Sequence, residues 1–181
     1  KLKLFLKKNI EINIIELKQI NLINLIKIKV DKKQVGSDRL ANAIGVIDNK
    51  NNYIILDFGT ATTFDIIFKK NYLGGIISPG VDLSLKSLSS KASLIPNIKI
   101  LKVSKVIGKN TKSAVRSGFY WGYAGLIDNI IKLIIKQTGK SFKIIFTGGL
   151  AHLFKDSISS KVKVNRDLTI NGVLRASKNL K

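Results

Sequence analysis

Two acids sit among small residues in patterns that can do chemistry. Asp38 lies in Val35-Gly-Ser-Asp-Arg39, and Asp57 in Leu56-Asp-Phe-Gly-Thr-Ala-Thr-Thr-Phe-Asp65. A carboxylate within reach of a hydroxyl can take its proton, and a neighbouring arginine can hold an anionic group in place. The second stretch gathers Asp57, one glycine and three threonine hydroxyls at a tight reversal, where a plain hairpin needs only Asn-Gly or Asp-Gly. Gly-Thr turns can offer backbone N–H groups to an anion, and an acid at a turn can hold a cation that offsets phosphate charge. Two more turns, IGKNT (107–111) and FTGGLA (146–151), have the same character. Each alone reads as a β-turn; as a set they read as a nucleotide site. Neither G-x-x-x-x-G-K-[ST] nor G-x-G-x-x-G occurs, so a P-loop or dinucleotide fold is not indicated.

These turns must be positioned by ordered elements. VGSDRLANAIGVIDN (35–49) reads as a loop entering a helix, with Ser37 or Asp38 as N-cap and an apolar stripe of Leu40, Ala43, Ile44 and Ile47. Strands over Tyr53–Leu56, Thr62–Phe68 and Tyr72–Ser78, joined by short turns, predict an antiparallel meander. Pro79-Gly80 ends it, and a helix follows that stops before Pro96. The longest helical pattern runs from Thr111 to about Gln137. Gly118, Gly122 and Gly125 in its first half cost up to about 1 kcal/mol each against alanine, which predicts close packing on another helix. A strand at 143–149, a short helix and a final helix near 170–179 complete the chain. Residues 1–30 suggest strands near 12–16 and 22–30. Strands first and helices later, with glycine turns at strand ends, predict an α/β or α+β core below a cleft.

Composition bounds the rest. The 181 residues suffice for one buried core or two small lobes. With no cysteine and one histidine, His152, disulfides and thiolate sites are excluded and a histidine zinc site is not expected. No apolar run reaches the 18 residues of a membrane span, and the N-terminal stretch lacks a small-residue cleavage site. A soluble, cytoplasmic protein is expected. The net charge of +21 comes from 28 lysines and only 4 arginines spread along the chain. Base and phosphate recognition leans on arginine, so the lysines read as a solvated surface and an attractive field for nucleotides. Nucleic acid is not the expected partner. The sequence contains no methionine, which favours a piece of a longer protein.

DFGTATTFD, YLGGIISPG (72–80), IGKNT followed by Ser117-Gly-x-x-x-Gly122, TGGLA and DLTINGV (167–173) occur in an order and spacing that resemble the type III pantothenate kinases. VGSDRLANA (35–43) resembles that family's Gly-Ala-Asp-Arg segment. The resemblance covers about residue 35 to the C-terminus. It implies a ribonuclease-H-like actin/hexokinase (ASKHA) fold, with residues 1–50 as the remainder of an N-terminal lobe and 51–181 as a complete C-terminal lobe. It implies ATP-dependent phosphorylation of pantothenate to 4'-phosphopantothenate, the first step towards coenzyme A, by a homodimer that uses Mg2+ and a monovalent cation, K+ or NH4+. Asp38 then matches the general base; Gly36, Ser37, Arg39 and Thr111 match pantothenate contacts. Gly59, Thr60, Thr147, Gly148 and Gly149 match ATP contacts, and Asp57 matches the monovalent-cation ligand. The long 111–137 helix is the expected dimer contact, and His152 matches nothing catalytic.

The departures matter too. The family opens on an Asp-x-Gly-Asn-Thr phosphate loop, and no such segment precedes Asp38 here. Phosphoryl transfer depends on positioning and charge neutralisation, so the resemblance implies a truncated chain holding half of a phosphate grip. Ser37 replaces the usual alanine, and VDKKQ before it lacks an expected proline and acid. The alternative is a catalytically inactive relative acting as a binding or regulatory protein, a group the family also resembles.

Overall fold

A computed structural model describes Phe5 and residues 14–180 of the chain. Its centre is a six-stranded sheet of order β1-β4-β3-β2-β5-β6. The strands are β1 (Lys27–Ile28), β2 (Asn52–Phe58), β3 (Ala61–Phe68), β4 (Asn71–Pro79), β5 (Lys143–Gly148) and β6 (Val162–Val164). β2, β3 and β4 form the antiparallel meander, whereas β5 joins β2, and β6 joins β5, in parallel. Parallel neighbours need a crossover, and the long helix Thr111–Thr138 lies in the connection that leads into β5.

Alternation along the strands divides the core in two, because successive side chains leave opposite faces of a sheet. Ile54, Leu56 and Phe58 of β2 join Phe64, Ile66, Ile144 and Phe146 on one face. There they meet the helices Val81–Lys91, Thr111–Thr138 and Ala151–Phe154. Phe58 packs edge-on to Phe146, with ring centroids 5.0 Å apart, and stacks on Phe154. Tyr53 and Ile55 join Ile67, Tyr72 and Ile145 on the other face, beneath the helices Ser37–Val46 and Leu168–Ser177. Residues on both sides of position 50 therefore meet on one sheet. Arg175 of the last helix donates from Nη1 to the carbonyls of Ile44 and Ile47, capping the C-terminus of the 37–46 helix. Placing a cation there also suits the helix dipole.

Several local expectations change. The 37–46 helix takes Gly36 as N-cap with no side-chain cap, and Ser37 and Asp38 already lie inside it. The apolar stripe Leu40, Ala43, Ile44 and Ile47 is buried as expected. The strand near 22–30 shrinks to Lys27–Ile28, a 3-10 turn occupies Leu17–Gln19, and residues 12–13 fall outside the described residues. Asn110 caps the long helix, its side chain accepting from Ser113 N at 3.0 Å. Among the described residues, Gly118, Gly122 and Gly125 do not pack on another helix: a Cβ on any of them meets nothing within 4 Å. Propensity alone cannot say whether a glycine marks a contact inside or outside the chain. Among the described residues, no helix is long and apolar enough to cross a membrane.

Candidate functional site

Halfway along the face under the 37–46 helix, the sheet turns from apolar to polar. By alternation Asp57 follows Tyr53 and Ile55 on β2, and Thr63 and Asp65 precede Ile67 on β3. Thr147 follows Ile145 on β5. The register puts Asp57 directly between Thr63 and Thr147. Asp57 is thus a strand residue; the reversal itself is confined to Gly59 and Thr60. Thr147 is fully buried, and among the described residues Thr63 Oγ1 is shielded from solvent without a hydrogen-bond partner.

The helix lowers two polar side chains onto this patch. Arg39 and Asn42, three residues apart, share one helical face. Asn42, fully buried, donates from Nδ2 to Asp57 Oδ2 at 2.9 Å and accepts from Thr169 Oγ1 at 2.7 Å. Burial pushes the Asp57 carboxyl above the usual carboxylate range; the Asn42 hydrogen bond pulls it back in part, and the charge of Asp38 adds to the rise. Arg39 donates from Nε to Asp65 Oδ1 at 2.8 Å, and Tyr72 donates its hydroxyl to the same oxygen at 2.6 Å. Burial raises the Asp65 carboxyl while Arg39 and Tyr72 oppose it. Burial also works against the Arg39 charge, yet Asp65 more than offsets it and holds the guanidinium protonated. Asp38 is exposed at the second position of the helix, with Oδ1 accepting from Arg39 N at 2.8 Å.

On the sheet's end, the two glycine turns meet. Phe58, Gly59, Thr60 and Gly149 line one side of a groove of about 520 Å³, with Asp82 and Lys86 from the start of the 81–91 helix on the other. Gly148 makes this possible. Its φ is +86°, and a Cβ there would lie 2.6 Å from both Asp57 Oδ1 and Phe58 N. Only glycine takes that backbone without strain. Glycine turns and a helix start on one groove can accept a flat base and its phosphates.

The structure thus brings Gly59, Thr60 and Gly149 to one groove, and Thr147 and Asp57 side by side on the sheet face that carries the 37–46 helix, opposite the 81–91 helix. Gly36, Ser37, Asp38 and Arg39 stand at the start of the helix above. Thr111 is exposed in a separate hollow with Leu94, Pro96 and Asn110. Sequence reasoning missed Asn42, Asp65, Tyr72 and Thr169. An acid inside the strand-forming run FDIIF and an amide inside an apolar helix stripe were the available signals, since buried polar groups need partners. Among the described residues no three His, Cys, Asp or Glu side chains group closely enough to hold a metal ion by themselves.

The topology defines the class first. Over 79% of its length the chain superposes on MreB 5 of Spiroplasma citri, a structure bound to AMPPNP, with a TM-score of 0.52 at 15% identity and 58% of that chain covered. This is the actin/MreB-type ASKHA fold expected from the sequence. A Campylobacter jejuni structure described as a Baf family transcriptional activator matches at TM-score 0.62 and 25% identity, over 98% of this chain and 77% of that one. The particular family comes from sequence. Residues 1–133 match the family model for type III pantothenate kinase. A type III pantothenate kinase of Pelagibacter ubique is 62% identical over 175 residues, which cover 97% of this chain and 71% of the relative. One from Rhodospirillum rubrum is 43% identical over 143 residues, 78% of this chain and 56% of the relative. The chain belongs to the type III pantothenate kinase family. It spans between about half and seven-tenths of the length of these curated relatives.

Proposed function

We propose that this chain carries substrate-binding and proton-accepting parts of a kinase that transfers the γ-phosphoryl group of ATP to the primary hydroxyl of pantothenate. In this reading the hydroxyl oxygen attacks the γ-phosphorus, its proton passes to Asp38, and ADP leaves. Gly36, Ser37 and Arg39 seat pantothenate with Arg39 towards its carboxylate; Thr111, in its separate hollow, is not part of this seat within one protomer. Gly59, Thr60, Thr147, Gly148 and Gly149 hold ATP. Asp57 suits a monovalent cation: one oxygen is fixed by Asn42, and the other faces the Gly148 turn. Such a cation would offset phosphate charge beside the turns. Mg2+ would travel with the triphosphate, which needs few protein carboxylates. Residues 1–50 and 51–181 are then parts of a first and second lobe, and the cytoplasm is the compartment.

The observation that carries the proposal is the meeting of the two glycine turns on one groove, with Asp57, two residues before Gly59, bonded to Asn42 of the Asp38-bearing helix. Pantothenate-dependent ADP release, measured with Mg2+ and with K+ against Na+, tests it. Turnover should vanish in Asp38→Asn while ATP is still retained; undiminished turnover in that variant sinks the assignment. A second reading, a regulatory binder without turnover, draws on the printed description of the Campylobacter jejuni structure. Nucleotide retention with no pantothenate-dependent ADP release would favour it.

We further propose a homodimer through the long helix. Its three open glycines are exposed, as are Trp121 and Leu133 on the same helix. A monomer by sedimentation, with the fold intact, would refute this contact.

A further inference from the structure

We infer that Asp65 and Tyr72 are positioning residues that fix the Arg39 guanidinium for a carboxylate-bearing substrate. The inference rests on the pantothenate reading above and names the residues on which its selectivity for an acid depends.

The geometry is that of an aimed cation. Arg39 Nε and the Tyr72 hydroxyl both donate to Asp65 Oδ1, at 2.8 and 2.6 Å. Arg39 Nη2 lies 2.7 Å from the same oxygen as an ion-pair contact, without the alignment of a hydrogen bond. The Asp65 side chain is fully buried and that of Arg39 is 13% exposed. Gly75, which pairs with Asp65 across the sheet, leaves the space: a Cβ there would approach Arg39 Nη2 to 2.2 Å. Asp65 of β3 and Gly75 of β4 thus border the guanidinium that the helix supplies, and Tyr72 of β4 holds Asp65.

A buried ion pair is weak evidence for stability, since apolar residues of similar volume often do as well. What the pair supplies here is orientation. Nε and Nη2 both face Asp65 Oδ1 and Nη2 is shielded from solvent, so Nη1 is the nitrogen left to meet a ligand, in a plane set by the carboxylate and, through it, by Tyr72. A guanidinium held in advance loses less freedom on binding an acid. Because Asp65 balances its charge, Arg39 acts on a ligand by directed N–H bonds more than by net charge. Loosening Asp65 should therefore reduce the advantage of a carboxylate over a neutral group of similar size.

The test compares binding of pantothenate with binding of its alcohol analogue, in which CH2OH replaces the carboxylate, by titration calorimetry on the parent chain and Tyr72→Phe. Parent binding should favour pantothenate. Tyr72→Phe should weaken pantothenate about 5- to 10-fold, roughly the loss of one charge-assisted hydrogen bond's influence, and leave the analogue unchanged. Asp65→Asn should lower the preference further, with folding checked by circular dichroism. Equal weakening of both ligands would make Tyr72 merely structural, and no change in either would also overturn the inference. A parent chain that shows no preference for the carboxylate would overturn the substrate role of Arg39 itself, and the inference with it.

Discussion

Asn42→Asp changes charge with almost no change in shape, which makes it the sharpest probe of the acid layer. The amide nitrogen that now donates to Asp57 Oδ2 at 2.9 Å would become an oxygen. Two ionised carboxylates with charge centres about 4 Å apart repel by about 4 kcal/mol at an effective dielectric near 20. At about 1.36 kcal/mol per pH unit, that raises the pair's shared titration by roughly three units. The sign follows. A carboxyl pair whose folded-state pKa lies above the unfolded value of about 3.9 carries no penalty below that value, because one proton sits between the oxygens. The penalty grows as pH rises and is complete above the raised folded pKa. The variant should match the parent near pH 4 and lose about 4 kcal/mol near pH 8, a fall in Tm of roughly 8–16 °C for a chain of this size. Thermal and urea unfolding by circular dichroism at the two pH values, at one ionic strength, give both numbers. A loss that is equal at both pH values would show that residue 42 does not face Asp57.

Asp57→Asn should leave the ligand-free fold at pH 7 at least as stable as the parent, because burial holds the native carboxyl above its ordinary range. In the native state its ionised form costs stability as pH rises from the unfolded value through the raised one; the same variant should lose K+-dependent turnover, and a lowered Tm with turnover intact would contradict both points. Gly148→Ala should cost about 2 kcal/mol or more in urea unfolding, from a φ of +86° and a Cβ 2.6 Å from Phe58 N. Gly122→Ala should instead stabilise the isolated protomer by about 0.5–1 kcal/mol, since nothing lies within 4 Å, while weakening the proposed dimer by sedimentation.

The meander and the long helix were legible because their signals are local: period-two runs separated by turn residues, and an apolar pattern sustained for 28 residues. Asp38, Asp57 and the glycine turns were legible as chemistry for the same reason. The partners of those residues were not. Asn42 meets Thr169 across 127 positions, and Arg39 meets Asp65 across 26. Such pairings follow from sheet order and register, which residue types alone do not specify. Lysine-punctuated residues 22–30 fitted either period, and only two of them became strand, held against β4. The N-cap expectation failed at Ser37 because the chain enters its helix one residue earlier, on a glycine.

The grip of the 168–177 helix on the 37–46 helix has a consequence in time. Thr169 and Arg175 reach back 127 and 131 positions to Asn42 and Ile44. At about 5–20 residues per second, a chain in synthesis needs roughly 6–25 s to make that span. The meander can pair long before then, since its strands follow one another directly. The helix bearing Asp38 is therefore made early and anchored late, and its apolar face needs shelter until the 168–177 helix leaves the ribosome.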